Sequence, residues 1–284
     1  MYDIAVLGGD IRQVYMVSLF CKANLSVITY GLTHPMIQDI CTQGCSMEET
    51  IKSAMLLVSS IPFSRDGITI PSLTAASDMN VEKFMSYAFC GQTLFAGMIS
   101  PKIKSFCQQN KISYYDFMED DAVAIANGIA TAEGAIMEAI SKSSGNLHGS
   151  NCLLLGFGRC GKTLALKLKG LDTKVTVAAR NPSDLALANA LGLNSIPLNS
   201  LKETIGFYDY IFNSIPTCIL DSCLLSRLSK EVVIIDIASA PGGLDYEKAN
   251  ELGLNANLCL GIPGKIAPKA SAKILADVVL NHIH

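Results

Sequence analysis

Short apolar runs alternate with longer segments of helical periodicity along the whole chain. The runs predicted to be strands are residues 4–7, 25–30, 55–58, 94–98 and 112–115 in the first half, and residues 151–155, 175–179, 195–196, 210–213, 232–236 and 257–260 in the second. Strands of a parallel sheet that is covered on both faces are apolar throughout. The order of runs and helices therefore predicts an α/β fold with two series of buried parallel strands.

A long helix of small and apolar residues, predicted over residues 122–140, separates the two series. We predict an N-terminal α/β domain over residues 1–128 and a second α/β domain over residues 129–266, of which residues 129–147 form an interdomain helix and turn. A final helix over residues 267–284 is predicted to pack back toward the first domain. Because the helix over 122–140 is too apolar for a solvated linker, we expect it to lie between the domains or against another subunit.

The overall composition is apolar, but it does not favour a membrane protein. Of the 284 residues, 50% are hydrophobic and 17% are charged, and the net charge is −3. No stretch reaches the roughly 18 consecutive apolar residues of a spanning helix, and the N-terminus lacks the basic region of a signal peptide. A polybasic segment is also missing. We therefore expect a cytoplasmic protein that binds neither a membrane nor nucleic acid.

The ten cysteines and four histidines show no pattern typical of a metal site or a disulfide framework. No two cysteines have the CxxC spacing, and several lie inside apolar runs. The histidines lack the spacing of zinc ligands. We expect reduced thiols and no bound metal.

The strongest chemical motif follows the first strand of the second series. It consists of Gly156, Phe157, Gly158, Arg159, Cys160 and Gly161, a GxGxxG sequence between an apolar strand and a helix. The first glycine permits a tight turn, the second lets the backbone approach a pyrophosphate, and the third lets the helix pack close to the strand. The N-terminus of the helix favours phosphate. This context predicts a Rossmann-type dinucleotide-binding domain over residues 129–266; the alternative is a glycine turn that binds nothing.

The end of the next strand bears on the choice of cofactor. NAD-binding domains usually carry Asp or Glu about 20 residues after the glycines, whereas this chain has Arg180 there. Arg180 could pair with a 2′-phosphate and Asn181 could add a hydrogen bond, which favours NADP; in an NAD enzyme Arg180 would instead stack on the adenine. Four further residues near strand ends are candidates for the nicotinamide side of the crevice: Asn213, Pro216, Asp236 and Ala238.

Several longer motifs resemble one family over nearly the whole chain. They are VLGGDIRQ (6–13), TAEGAIMEAI (131–140), HGSNCLLLGFGRCGKTLA (148–165), NSIP (213–216), DIASAPGGLDYEKA (236–249) and GIPGKIAPKASAKILADV (261–278). On these motifs the chain resembles the A-subunit family of dipicolinate synthase, a sporulation enzyme of endospore-forming bacteria. Lys265 departs from the family pattern, because an apolar residue is expected there.

The resemblance implies a fold like that of 2-hydroxyacid and alanine dehydrogenases, with two α/β domains and a cleft. It implies oxidation of a dihydrodipicolinate-type intermediate to dipicolinate (pyridine-2,6-dicarboxylate), with NADP, or alternatively NAD, accepting the hydride. It also implies that the chain has a flavoprotein-like partner, the B subunit. We further expect a homo-oligomer.

The chemistry of this reaction assigns roles to residues outside the glycine motif. Aromatisation drives the loss of hydride, so the protein mainly positions the ring against the nicotinamide. The two substrate carboxylates need cations or hydroxyl donors, for which Arg12, Thr131 and Lys269 are the candidates. Glu133 could take the proton or stabilise a cationic ring. The predicted catalytic residues are Glu133, Lys269 and Asp236.

Two other functions stay open on the sequence. A 2-hydroxyacid or alanine dehydrogenase with a different substrate would usually need a His–acid or Lys–His pair, and the interior histidine candidates are His34 and His148. A nucleotide-binding regulatory protein without chemistry of its own would bind NADP but would not depend on Glu133 or Lys269.

Overall fold

The computed structural model describes residues 1–283 and divides the chain into two compact units. One unit comprises residues 1–124 together with the chain from Ala267 onward, and the other comprises Ile125–Ile266. Each unit contains one parallel six-stranded sheet. The predicted α/β fold, with two such domains and a C-terminal helix that returns to the first, is confirmed.

The sheet of the first unit is built outward from its first strand. Its strands are β1 (Tyr2–Leu7), β2 (Val27–Tyr30), β3 (Thr42–Gln43), β4 (Ala54–Ser59), β5 (Thr93–Ala96) and β6 (Ser113–Asp116). They lie in the order β3-β2-β1-β4-β5-β6. The chain thus runs to one edge and then continues on the other side of β1. This is the order of a doubly wound sheet, whose switch point lies between β1 and β4.

The helices that connect these strands are α1 (Ile11–Lys22), α2 (Met47–Lys52), α3 (Val81–Tyr87) and α4 (Pro101–Gln109). Helix α1 buries Val17 and Phe20, which are three residues apart and therefore on one face. It begins at Asp10, whose carboxylate accepts a hydrogen bond from the amide of Arg12. In return, the side-chain oxygen of Gln13 accepts one from the amide of Asp10. This reciprocal capping fixes the turn that follows β1.

The sheet of the second unit repeats the same topology. Its strands are β7 (Asn151–Leu155), β8 (Lys174–Ala179), β9 (Asn194–Pro197), β10 (Tyr210–Asn213), β11 (Val233–Asp236) and β12 (Asn255–Leu258). They lie in the order β12-β11-β10-β7-β8-β9, which places the switch point between β7 and β10. The helices are α5 (Asp121–Lys142), which begins in the last residues of the first unit, α6 (Arg159–Gly170), α7 (Pro182–Ala190), α8 (Leu201–Thr204), α9 (Ser222–Leu225), α10 (Tyr246–Glu251) and α11 (Ile262–Ile266).

Strand β7 explains why the predicted strands lack an alternating pattern. Its residues Cys152 and Leu154 belong to one buried apolar cluster, whereas Leu153 and Leu155 belong to another. Successive side chains of a strand point to opposite faces of the sheet. Both faces of the second sheet are therefore covered, and the apolar excess of the chain lies in these layers.

Helix α5 covers one of these faces with small residues. Ala132, Ala135 and Ala139 are fully buried in the core of the second unit. A Cβ atom at Gly134 would lie 2.2 Å from the side chain of Ile262, so the glycine permits a close contact with α11. Within residues 1–283, α5 is the one helix with the length and hydropathy of a membrane span, and 56% of its apolar window is buried. We interpret it as a core helix.

The last helix, α12 (Pro268–Ile283), belongs to the first unit although it follows the second along the chain. Its residues Ala272, Leu275 and Val279 are fully buried at helical spacing. They join the apolar cluster that contains Val14 and Val17 of α1. The pairing of α12 with α1 returns the C-terminus to the first unit.

Candidate dinucleotide-binding site

The three glycines of the turn between β7 and α6 differ in how much space surrounds them. Gly156 has φ +90°, which other residues rarely adopt, and a Cβ there would lie 2.7 Å from the Oγ of Ser214. A Cβ at Gly161 would lie 2.5 Å from the carbonyl oxygen of Gly156. At Gly158 a Cβ would meet nothing within 4 Å. The first and third glycines are thus needed by the fold, whereas the second borders open space.

The N-terminus of α6 is left without a side-chain cap. Gly158 is its N-cap residue and forms no side-chain hydrogen bond to the first turn. Backbone N–H groups of a first helical turn need a partner from outside the helix. Their direction and the helix dipole suit a phosphate. The open space at Gly158 and the uncapped helix therefore fit the pyrophosphate of a dinucleotide.

The corresponding turn of the first unit is closed. The carboxylate of Asp10 already caps α1. The amide of Gly9 donates a 2.6 Å hydrogen bond to the carbonyl of Pro71, and a Cβ at Gly8 would lie 2.3 Å from that same oxygen. The loop around Pro71 thus packs directly against this turn. The turn after β1 is therefore less open than the turn after β7.

Helix α5 packs directly on the glycine-rich turn. A Cβ at Gly128 would lie 3.6 Å from the Cα of Cys160. Burial raises the pKa of the Cys160 thiol, although the charge of Arg159 and a hydrogen bond with Thr131 oppose this. The Thr131 hydroxyl also donates to the backbone carbonyl of Asn127 at 3.1 Å. Thr131 therefore lies beside the turn and contacts Cys160.

The carboxyl end of β8 presents the residues predicted to distinguish NADP from NAD. Arg180 is exposed directly after the strand. Asn181 begins α7, and its side-chain oxygen accepts a 3.1 Å hydrogen bond from the amide of Ser183. Its side-chain NH2 group remains a donor at this end of the sheet. Lys162 of α6 lies 3.8 Å from Asp184 of α7 and joins these two helices.

At the switch point, the loop that follows β10 contacts the glycine-rich turn. The Ser214 hydroxyl donates a 3.0 Å hydrogen bond to the carbonyl of Leu155, the last residue of β7. A Cβ at Gly156 would lie 2.9 Å from the side chain of Ile215. Pro216, which follows, is exposed. The loop after β10 is thus in direct contact with the loop predicted to hold the pyrophosphate.

Beside this loop lies a carboxylate that is fully buried at the end of β11. One oxygen of Asp236 accepts hydrogen bonds from the Nδ2 of Asn213 at 2.8 Å and from the amide of Ala238 at 2.9 Å. Its other oxygen accepts from the amide of Gly243 and from the Oη of Tyr246, each at 2.7 Å. All four donors are uncharged. Asp236 thus connects β10, the loop after β11 and α10.

Tyr246 was not among the residues predicted from the sequence. It is partly buried at the start of α10, ten residues after Asp236. Burial raises the pKa of Tyr246 far above its ordinary value, and the neighbouring Asp236 adds to the effect. The phenol is therefore a hydrogen-bond donor at any physiological pH.

Glu133 lies on the part of α5 that faces α6. Its carboxylate forms a 2.9 Å ion pair with Lys167, which stands in the last turns of α6. The side chain of Glu133 is about half exposed. Lys167 lies about two turns of α6 beyond the glycine-rich turn. Its partner Glu133 therefore lies beside that later part of α6 and not beside Gly158.

The two predicted substrate cations belong to the first unit. The guanidinium of Arg12 is buried, donates to both oxygens of Asp10 and contacts the carbonyl of Ile61 at 2.8 Å. Lys269 is exposed in the first turn of α12. Arg12 is thus already paired with a carboxylate, whereas Lys269 presents its ammonium to solvent. No group of three potential metal ligands occurs within residues 1–283.

Comparisons with known proteins extend this picture. The first unit matches the N-terminal domain of the dipicolinate synthase A subunit over residues 3–118. The A subunit of dipicolinate synthase from Bacillus subtilis (strain 168) is 32% identical over 97% of this chain and 94% of its own length. The chain belongs to the dipicolinate synthase A-subunit family. The A subunit from Bacillus halodurans, whose crystal structure is known, has a TM-score of 0.90 and 26% identity, and the match covers 99% of this chain and 97% of that one.

The second unit of this A-subunit family member has the fold of nicotinamide-dependent dehydrogenases. Residues 138–250 match the shikimate/quinate 5-dehydrogenase family. An L-alanine dehydrogenase shares the fold with a TM-score of 0.64 at 13% identity, over 98% of this chain and 88% of that one. The second unit thus has a fold of the dehydrogenase type.

Proposed function

We propose that this chain is the dinucleotide-dependent component of a dipicolinate synthase. In this proposal it oxidises a dihydrodipicolinate-type intermediate to dipicolinate. The observation that carries the proposal is the uncapped N-terminus of α6 beside the open space at Gly158, in a member of the A-subunit family. When bound, NADP accepts a hydride from the dihydropyridine ring, and a proton leaves to a base or to water as the ring becomes aromatic.

The backbone of the glycine-rich turn holds the pyrophosphate in this proposal. Gly158 lets the phosphates approach, and the amides that follow it donate to them. Phe157, between the first two glycines, is buried in the core of the second unit. Arg159 adds a positive charge at the start of α6, which favours a dianionic ligand.

Arg180 and Asn181 are the residues proposed to select NADP. The exposed guanidinium at the end of β8 stands where dehydrogenases specific for NAD carry a carboxylate. A guanidinium can form a bidentate pair with a 2′-phosphate, and the NH2 group of Asn181 can add a hydrogen bond. Arg180 and Asn181 should therefore bind NADP, which carries the 2′-phosphate, more tightly than NAD, which lacks it.

The substrate carboxylates require cations, and the two candidates differ in availability. Lys269 carries an exposed ammonium, so we propose it as the first contact for a carboxylate. Arg12 would have to share its guanidinium with Asp10. Thr131 supplies a hydroxyl beside the glycine-rich turn, and Glu133 can serve as proton acceptor only if it leaves Lys167.

Assembly with a flavoprotein-like B subunit, self-association into a homo-oligomer and a cytoplasmic location complete the proposal. The exposed apolar residues of α5 support a role of this helix in contacts between subunits: Ile125, Ile129, Met137 and Ile140. A surface stripe of this kind often marks a protein interface.

The direct test mixes the purified chain with NADP and a dihydrodipicolinate-type precursor, with and without the B subunit. The proposal predicts formation of pyridine-2,6-dicarboxylate together with NADPH. A Gly158→Ala variant serves as the control that should fold but not bind the dinucleotide. Absence of product in both arms, with NADP bound to the wild-type chain, would contradict the proposal.

A further inference from the structure

The four donors around Asp236 form a closed arrangement that the proposed reaction does not use. Both oxygens of this fully buried carboxylate are engaged, and each accepts two hydrogen bonds. A buried carboxylate is costly to maintain unless its lone pairs are satisfied. With its lone pairs occupied in this way, Asp236 is better suited to hold neighbouring groups in place than to accept a proton from a substrate.

Asn213 links the buried Asp236 to the glycine-rich turn. Its Nδ2 donates to Asp236 and also to the carbonyl of Ile215 at 3.0 Å, while its Oδ1 accepts from the amide of Ile215 at 3.1 Å. Ile215 in turn lies against Gly156, where a Cβ would come within 2.9 Å of it. A continuous series of contacts therefore joins Asp236 to the turn after β7.

Tyr246 binds the other oxygen of the Asp236 carboxylate. Its hydroxyl and the amide of Gly243 bind the same oxygen of Asp236. The carbonyl of Gly243 accepts hydrogen bonds from Ile219 and Leu220, which continue the loop after β10. A Cβ at Gly243 would lie 2.3 Å from the Nδ2 of Asn213, so no side chain fits between the two loops. The loops after β10 and β11 are thus fastened to each other through Asp236.

We infer that Tyr246 is a positioning residue, which acts through Asp236 and Asn213 to fix the loop from Ser214 to Pro216 against the nicotinamide half of the cofactor. The inference rests on the proposed function, because the loop from Ser214 to Pro216 can contact a nicotinamide only when a dinucleotide is bound. In a doubly wound sheet the ligand lies across the carboxyl ends of the strands at the switch point, which here is the contact between Gly156 and Ile215. Small displacements of positioning groups cause large losses in such sites.

The test compares Tyr246→Phe with Tyr210→Phe. Tyr210 is a buried tyrosine at the opposite end of β10, where its hydroxyl donates to Ser143 at 2.8 Å. Each variant removes one tyrosine hydroxyl of the second unit: that of Tyr246 contacts Asp236, and that of Tyr210 contacts Ser143 and the carbonyl of Gly145. Calorimetric titrations use NADPH, NADH and the adenine half alone, adenosine 2′,5′-bisphosphate, and the fluorescence of bound NADPH reports the surroundings of the nicotinamide.

We expect Tyr246→Phe to bind NADPH about tenfold more weakly while its affinity for the adenine half stays within about twofold. The emission of bound NADPH should move toward that of free NADPH. Tyr210→Phe should bind both ligands within about twofold of wild type. Equal losses of NADPH and of the adenine half by Tyr246→Phe, or no loss at all, would overturn the inference.

A second measurement decides the matter if Tyr246→Phe does not fold. Site-specific 3-fluorotyrosine at position 246 keeps the hydroxyl and adds a fluorine signal. This signal should shift with NADPH but not with the adenine half, and an unchanged signal with NADPH would overturn the inference. Failure of the wild-type chain to bind either NADPH or NADH would instead refute the proposed function, so the two failures can be told apart.

Discussion

The substitution Gly158→Ala should separate dinucleotide binding from folding. The added methyl group would meet nothing within 4 Å, and the backbone at this residue has φ −81°, which alanine adopts freely. An N-cap alanine is somewhat worse than glycine, so the free energy of unfolding should fall by less than about 1 kcal/mol. The same methyl group enters the space through which the pyrophosphate must approach.

The neighbouring substitution Gly161→Ala should behave in the opposite way. Its methyl group would lie 2.5 Å from the carbonyl oxygen of Gly156, about 0.9 Å closer than ordinary contact at 3.4 Å. Helix α6 would have to move away from β7, and overpacking of this kind costs about 1–3 kcal/mol. For a unit of this size that lowers Tm by roughly 3–10 °C, against less than about 4 °C for Gly158→Ala.

Thermal unfolding and NADPH titration of the two variants form the assay. Gly170→Ala is the matched control, because Gly170 ends the same helix and a Cβ there meets nothing within 4 Å. We expect Gly158→Ala to bind NADPH at least about 30-fold more weakly, which corresponds to about 2 kcal/mol, and the control to bind normally. Wild-type affinity in Gly158→Ala would refute the assignment of the pyrophosphate site.

Three further predictions concern the remaining site residues. Arg180→Ala should weaken NADPH about tenfold but NADH less than twofold in parallel titrations, and equal losses would contradict 2′-phosphate recognition. Lys269→Ala should raise KM for the substrate about tenfold or more with NADP affinity unchanged, whereas full activity of both Lys269→Ala and Glu133→Gln would favour a regulatory role. Because the folded-state pKa of Tyr246 is raised, the protonated phenol stabilises the fold below the unfolded pKa of about 10, and this contribution is lost as pH rises above it. Alkaline unfolding of Tyr246→Phe should accordingly depend less steeply on pH than that of wild type, and an unchanged slope would count against the burial of this phenol.

The strands and the glycine-rich turn were predictable because their signals are local. Each buried strand is an apolar run, and the GxGxxG spacing lies within six residues after β7. Strand β3 escaped prediction, since it has two exposed polar residues, Thr42 and Gln43, and is defined only by pairing with β2. A short edge strand of this kind leaves no apolar pattern.

The polar partners of the site residues were harder to predict, because they come from distant parts of the chain. Lys167 pairs with Glu133 from 34 residues away. Asn213 reaches Asp236 across 23 residues. Arg12 is an exception, since Asp10 lies two residues before it at a helix start, where a carboxylate commonly caps the helix. That local signal could have shown that the guanidinium is already paired.

The central claim, that this chain transfers a hydride from a dihydrodipicolinate-type intermediate to NADP, is tested most directly by its stoichiometry. Pyridine-2,6-dicarboxylate and NADPH are measured in the same reaction mixture of the purified chain, precursor and NADP, with the B subunit present in a parallel sample. We predict that the two products appear in equal amounts and that Gly158→Ala forms neither. Pyridine-2,6-dicarboxylate formed without NADPH, or no product in either sample, would contradict the claim.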